Sequence, residues 1–385
     1  MKIRIAMVAG ETSGDLLAAH LIRALRRHLP EAEFYGIGGP RMRAEGFESW
    51  WESQRLAVHG YVDALRRYRE LSGIRRSLLA RMRAEPPTAF IGVDAPDFNL
   101  WLEQRVKQAG VPAIHFVSPA IWAWRSGRIK TIARSVSHML CLFPFETELY
   151  KRAGVPATYV GHPLADVFPL EPDRQAARLT LRIAPHRPVI ALLPGSRESE
   201  VRNLGRIFID AAMLLAQRRP EARFVVPLAT RETRLLFEQA MRDSEVAPEK
   251  IRILFGHATE AMTAADVVLV ASGTASLEAA LLKRPMVISY RIGKWQYQLM
   301  RRMAYLPWVG LPNILCGETV VPELLQDAAT PQALADALDW WLAHPEERAA
   351  LVNRFTDLHL ELRQDTADKA ARAILCCLPG GAQPS

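Results

Sequence analysis

A chain of 385 residues is longer than one ordinary hydrophobic core supports and fits two domains; with 49% hydrophobic and 23% charged residues it reads as a packed globular protein. No apolar run reaches the roughly 20 residues of a spanning helix, and the N-terminus begins on a strand without a charged and apolar leader, so the expectation is a cytoplasmic chain. The net charge of +8 suits an anionic partner, whether nucleic acid, phosphorylated ligand or anionic membrane surface, as well as it suits an ordinary basic surface, and Cys141, Cys316, Cys376 and Cys377 show no zinc spacing.

The first predicted strand, "IRIAMVA", runs directly into "GETSGD" (Gly10 to Asp15) and then into a segment of helical periodicity. Ligands bind beyond the carboxyl ends of strands in open α/β sheets, so Glu11, Ser13 and Asp15 mark a candidate site. The next strand, "AEFYGIG", leads into "GPRM"; Arg41 occupies the third glycine position of a dinucleotide fingerprint, which rejects an NAD site. "VDALRRYRELSGIRRSLLARMR" is an amphipathic basic segment, either a surface helix or one lying at an anionic interface. The third strand, "TAFIGVD", ends in Asp94 and Asp97 around Pro96, carboxylates placed to act as a base, to hold sugar hydroxyls or simply to cap a turn. After the strand "AIHFVSP", Trp122 and Trp124 stand beside Arg125, Arg128 and Lys130, which suits nucleic-acid stacking, anion or headgroup contact, or plain core packing under a solvated basic face. A fifth strand, "HMLCLFP", completes the first series, and a proline-bearing linker is expected near Asp166 to Arg187.

The pattern then restarts with "PVIALLPG", "ARFVVPLA", "KIRILFG", "VVLVASG" and "PMVISYR", each followed by a helix-like segment. Short apolar runs alternating with helices predict parallel sheets covered on both faces, so the chain reads as two successive Rossmann-like halves. In "LLPGSRESEV", Gly195, Ser196 and Arg197 form either a phosphate site at a helix N-terminus or a turn with Ser199 as N-cap. In "VVLVASGTASLE", Ser272, Gly273, Thr274 and Ser276 open a helix that carries Glu278 one turn inside, an arrangement that suits a diphosphate and a ribose or ordinary capping. "YRIGKWQYQLMRRMAYLPW" mixes aromatic and basic residues, again fitting an interface or a domain surface. The last helices cap the second half or pack back on the first.

Taken together, "AGETSGDLLAA", "IGVDAPDFN", "FVSPAIWAWR", "GHPLAD", "LLPGSRESEV", "ASGTASLE" and "LPNILCGETVVPELLQ" resemble the lipid-A-disaccharide synthase family over nearly the whole chain, with Thr12 where many relatives carry alanine. The resemblance implies an α/β GT-B fold, two Rossmann-like parallel-sheet domains facing across a cleft. Residues 1–170 would form the acceptor-side domain, 171–345 the UDP-sugar domain, and 346–385 C-terminal helices packed on the first domain or on a partner subunit. It implies transfer of 2,3-diacylglucosamine from its UDP derivative to the 6-hydroxyl of 2,3-diacylglucosamine 1-phosphate, with inversion to a β-1,6 linkage. Asp94 would be the base, with Glu11 and Asp97 as alternatives that position acceptor or sugar, and Ser13 beside them. Arg197 would neutralise the diphosphate next to Gly195 and Ser196. Ser272, Gly273, Thr274 and Ser276 would bind it, Glu278 would hold the ribose, and Asn313 and Gln326 would serve as donor-side polar groups. No cofactor or metal is expected. The implied partners are the two acylated substrates, an anionic inner-membrane surface for peripheral attachment, and a second copy in a homodimer.

Two other classes remain to be separated from this reading. A nucleotide-sugar epimerase would share the second-half corner but need no lipid acceptor, and a nucleic-acid-binding protein would use the +8 charge, although no recognised module is present.

Overall fold

The computed structural model describes residues 3–10, 12–56, 61–124, 126–246, 250–293, 297–298 and 306–380, without the side chains of 54, 61–68, 123, 124 and 126. The chain divides into two compact units, Met1–Asp166 with Leu362–Ser385, and Val167–Glu361.

The first unit holds a seven-stranded sheet of β1 (Arg4–Ala9), β2 (Glu33–Gly38), β3 (Glu48–Glu52), β4 (Ala89–Val93), β5 (Ala113–Phe116), β6 (His138–Cys141) and β7 (Ala157–Tyr159), in the order β3-β2-β1-β4-β5-β6-β7. The second holds β8 (Val189–Leu193), β9 (Arg223–Leu228), β10 (Ile251–Phe255), β11 (Val267–Ala271), β12 (Met286–Tyr290) and β13 (Glu323–Leu325), in the order β10-β9-β8-β11-β12-β13. Every pairing is parallel. Parallel neighbours need crossover connections, and helices supply them on both faces. The central strands β4, β8 and β11 are buried at every position, which is why they read as unbroken apolar runs. Along β1, Ile5, Met7 and Ala9 face one core with the helix Thr12–His28, while Ala6 and Val8 face the other with Ile74, Leu78 and Leu102. This is the two-residue alternation of a strand covered on both sides.

Both sheets begin in the middle, run outward, and then return to the other side of their first strand. The reversal leaves a crevice at the carboxyl ends of β1 and β4 in the first unit, and of β8 and β11 in the second. All ten expected strands are present. β3, β7 and β13 are additional, and each is a sheet edge.

Residues 167–187, read in the sequence as a linker, contain the helix Arg174–Thr180, which belongs to the second unit through Arg178 Nε donating to the Ala264 carbonyl (3.0 Å). At the other end of the chain, helix Thr366–Cys377 packs on Thr12–His28, placing Ala370, Ala371 and Ile374 in the first unit's core. The point of return is fastened by Asp166, whose carboxylate accepts from the amides of Gln364 (3.1 Å), Asp365 (3.0 Å) and Thr366 (2.7 Å). Among the described residues no helix is long and apolar enough to cross a membrane.

Candidate active site

The carboxyl ends of β8 and β11 open into a cavity of about 340 Å³ lined by Gly195, Ser196, Arg197, Ser272, Gly273, Thr274 and Glu278. Leu193, Pro227, Leu228, Ala229 and Ala258 give it an apolar wall. Two helix N-termini face this space, and each is finished differently.

At the helix Glu198–Arg218 the N-cap is Arg197, not Ser199, and the cap comes from within the helix: Glu200 Oε2 accepts from the amides of Ser196 (2.9 Å) and Arg197 (3.2 Å). Those two amides are therefore occupied, and the anion-directed group left at this corner is the Arg197 side chain, 81% exposed and 3.5 Å from Glu200. Gly195 sits at φ +126°, and a Cβ there would fall 2.3 Å from that of Glu200, so only glycine passes the capping carboxylate. At the helix Thr274–Leu281 the amide of Ser276 and its hydroxyl both bond to the Gly273 carbonyl (3.1 and 2.7 Å), and Ser276 is fully buried. Ser272 Oγ is turned to the Val309 carbonyl (2.9 Å). Both serines, expected as ligand groups, hold the backbone. The amides of Gly273, Thr274 and Ala275 have no partner among the described residues and stand at the positive end of the helix dipole. Glu278 is half-buried with no hydrogen-bond partner among the described residues, and burial raises its carboxyl above the usual range.

Asn313 and Gln326 do not present side chains to a ligand. Asn313 Nδ2 donates to Val321 O (2.9 Å) and Glu323 Oε1 (2.8 Å), and its Oδ1 accepts from the amides of Val320 (2.9 Å) and Val321 (3.0 Å), which exhausts an amide's capacity. Gln326, at φ +52°, bonds the backbone of Ile292 with both ends of its amide, donating at 3.0 Å and accepting at 3.2 Å. Each positions backbone beside β12.

In the first unit the corresponding crevice holds the turn after β4. Asp94 (φ +53°) and Ala95 (φ +43°) are consecutive left-handed residues, and Val117, one strand away, is β-branched at φ +81°. Such strain persists only where the surroundings impose it. Here the Asp94 amide donates to Phe116 O (2.8 Å), and Asn99 Nδ2 donates to the Asp94 carbonyl (2.7 Å). The Asp94 carboxylate is half-buried and unpaired among the described residues. Asp97 is exposed and paired with Arg128. Ser13 lies exposed in the first turn of Thr12–His28; Glu11 lies outside the described residues. Asp15 has a structural role, 2% exposed and accepting from the amides of Gly39 (2.9 Å), Arg41 (3.0 Å) and Met42 (3.1 Å). A Cβ would meet Met7 O at 2.2 Å on Gly36, Met42 Sδ at 2.7 Å on Gly38 and Asp15 Oδ2 at 2.5 Å on Gly39, which accounts for the glycines of "GIGGPRM" without a nucleotide.

Trp122 is packed, not offered for stacking: its indole donates to Glu146 Oε1 (3.1 Å) and its ring meets Phe145 edge-on at 5.4 Å. Trp124 (by its side chain) and Arg125 lie outside the described residues. No cluster of three or more His, Cys, Asp or Glu set to hold a metal occurs among the described residues. The residues that sequence reasoning missed are Glu200, Ala275 and Asn99. Glu200 lies three residues after the N-cap, the spacing of a capping box, but the Arg197 that precedes it hides the usual Ser/Thr signature.

The fold resembles solved proteins that handle nucleotide sugars. A putative UDP-N-acetylglucosamine 2-epimerase from Listeria monocytogenes superposes with a TM-score of 0.68 at 12% identity, covering 100% of this chain and 99% of the other. Identity that low speaks for the architecture alone, and sequence decides between the enzyme classes sharing it. The chain is 72% identical over 375 residues to the lipid-A-disaccharide synthase of Aromatoleum aromaticum, covering 97% of this chain and 96% of the relative. It is 70% identical over 382 residues to that of an Azoarcus species, covering 99% and 98%. The model of the family described as lipid-A-disaccharide synthetase matches residues 5–375, spanning both switch points and the returning helix. On that match and those identities, the chain belongs to the lipid-A-disaccharide synthase family.

Proposed function

We propose that the chain transfers 2,3-diacylglucosamine from its UDP derivative to the 6-hydroxyl of 2,3-diacylglucosamine 1-phosphate, releasing UDP and forming the β-1,6-linked lipid A disaccharide by inversion. The observation that carries the reading is the cavity at the β8/β11 switch point, in a chain of this family: amides and a carboxylate without partners among the described residues, with one exposed cation, surround one space with an apolar wall. The amides of Gly273, Thr274 and Ala275 and the guanidinium of Arg197 take the diphosphate, stabilising charge as the bond to the sugar breaks. Glu278 accepts the ribose hydroxyls, and the aliphatic wall receives the base.

Inversion needs one displacement, with a base removing the acceptor proton as the donor's anomeric bond opens. Asp94 is assigned that role because its carboxylate is unpaired among the described residues and its backbone is held in a strained turn by Asn99 and Phe116. Asp97, engaged with Arg128, is assigned to positioning, and Ser13 and Glu11 to acceptor contact. UDP release measured with and without acceptor tests the scheme. Wild type releases UDP only with acceptor, and Asp94→Ala loses about 10²–10⁴-fold in rate while retaining donor affinity. Acceptor-independent conversion of the sugar would mean an epimerase, and an unaffected mutant would move the base elsewhere.

Acylated substrates also imply peripheral attachment to an anionic membrane, and a homodimer remains part of the proposal. Of the two segments expected at the interface, most of 290–308 and the side chains of 61–68 lie outside the described residues. In the described part of the first, Ile74, Leu78 and Met82 face the core, while Arg75 and Arg81 lie over Trp101 (4.5 Å) and Trp50 (4.7 Å). Co-flotation with anionic vesicles that disappears at high salt is the expected result; no flotation even without salt would remove this part of the reading.

A further inference from the structure

At the opposite end of the second sheet lies another cavity, of about 230 Å³. The donor cavity is built from residues that follow strands. This one is built from residues that precede them, Pro185 to Pro188 leading into β8 and Asp266 leading into β11. The two sites are therefore separated by the length of the strands.

Its walls carry an excess of positive charge. Arg174, Arg178, Arg187, Arg219 and Arg348 line it against the single carboxylate of Asp266. That carboxylate is already committed, accepting from Arg174 Nη1 (2.7 Å), Arg178 Nη2 (2.7 Å) and the amide of Val189 (2.8 Å). Arg219 is paired outside the cavity with Asp339 (2.7 Å). The guanidinium groups of Arg187 and Arg348 have no acceptor among the described residues, and the Nε of Arg348 is closed off from solvent as well. Arg284, near enough to Arg174, Arg178 and Asp266 to feel their charges, likewise has its Nε buried without an acceptor among the described residues. Burial, with Arg174 and Arg178 adding repulsion, pulls that guanidinium down to about 10.

A buried donor without an acceptor and two unneutralised cations in one concave space describe a site lacking its counter-charge. Guanidinium forks match the oxygens of a phosphoryl group in pairs, and a phosphoryl dianion balances two free guanidiniums. We propose that this pocket binds a phosphate-bearing anion, held by Arg187 and Arg348 and flanked by Arg174 and Arg219. The group comes either from a free phosphate compound or from a phospholipid headgroup. Neither reading depends on the donor cavity, which shares no lining residue with this one.

Two measurements on wild type and on Arg187→Ala/Arg348→Ala test it. Thermal melts against inorganic phosphate, with ionic strength matched by chloride, are expected to show a saturable rise for wild type. The double variant should need about tenfold more phosphate or more, and Arg348→Lys, which keeps the charge but loses the fork, should fall between. The donor cavity is the same in both proteins, so phosphate binding there cancels in the comparison. Equal melting in chloride shows that the variants are folded. In the second measurement, phosphatidylglycerol vesicles are compared with phosphatidylcholine vesicles by flotation. Selective flotation of wild type over the double variant, without a phosphate response, assigns the headgroup as the source; a phosphate response without selective flotation assigns the free compound. Equal behaviour of wild type and double variant in both measurements overturns the proposal.

Discussion

Gly195 shows how a residue without a side chain determines a binding corner. Its φ of +126° lets the chain turn so that Glu200 reaches back to cap Ser196 and Arg197. Gly195→Ala would drive a Cβ to 2.3 Å from Glu200 Cβ and impose a left-handed alanine, a cost of about 1–3 kcal/mol. The expected outcome is a lower melting temperature together with weaker UDP binding, because the same turn carries Arg197. An unchanged melting temperature would show that the turn relaxes freely. Asp15 and Asn313 illustrate what sequence conceals at this scale. A carboxylate and an amide at the ends of apolar segments look like ligand groups, yet Asp15 spends its hydrogen bonds on three backbone amides and Asn313 on two backbone amides, a carbonyl and the Glu323 carboxylate. Residue type and spacing locate a corner. Whether a polar group faces the ligand or the loop is decided by contacts beyond its own element, to Gly39 to Met42 for Asp15 and to Val320 to Glu323 for Asn313.

Elements were legible to the extent that they are covered on both faces. β4, β8 and β11 announce themselves because every residue is buried, whereas β3, β7 and β13 are short edges of half-buried residues such as "ATY" and "ELL", with no run to recognise. At the carboxyl ends of β5, β6 and β7 an aromatic cluster encloses two titratable groups of opposite kind. Glu146, 1% exposed, accepts from Trp122 Nε1 and from the Phe143 amide (3.0 Å), and burial pushes its carboxyl up to about 7. His162, stacked on Phe143 at 5.6 Å, is pushed down to about 4 by burial. Between 4.5 and about 7 the unfolded chain releases the Glu146 proton that the fold retains, so stability falls as pH rises. Between about 4 and 6.5 the unfolded chain binds the His162 proton that the fold refuses, so stability rises with pH. Each gap corresponds to about 3 kcal/mol, and over the shared interval the two slopes oppose. Glu146→Gln is therefore expected to unmask a melting temperature that climbs with pH through the mildly acidic range, and His162→Phe one that declines. Parallel pH profiles for both variants and wild type would refute the pairing.

For the whole molecule, the second unit is an insertion within the first, and Asp166 stands where the chain leaves and returns. Removing its carboxylate in Asp166→Ala frees three amides at Gln364, Asp365 and Thr366, and the expected loss is at least about 2 kcal/mol. Since helix Thr366–Cys377 packs into the first unit's core, the loss should appear as faster amide exchange in the first unit while β8 to β12 keep their protection. Uniform loss across both sheets would mean that the units unfold as one. The order of synthesis gives this connection a further meaning. Ala370, Ala371 and Ile374 leave the ribosome after the whole of Val167–Glu361. The sheet of the first unit, translated earlier, is thus completed later, and a released chain truncated before Leu362 carries the second unit beside a helix, Thr12–His28, whose apolar stripe is still waiting for its cover. Folding helpers acting on this protein during translation would meet their exposed surface there, ahead of the second unit in the chain rather than at its growing end.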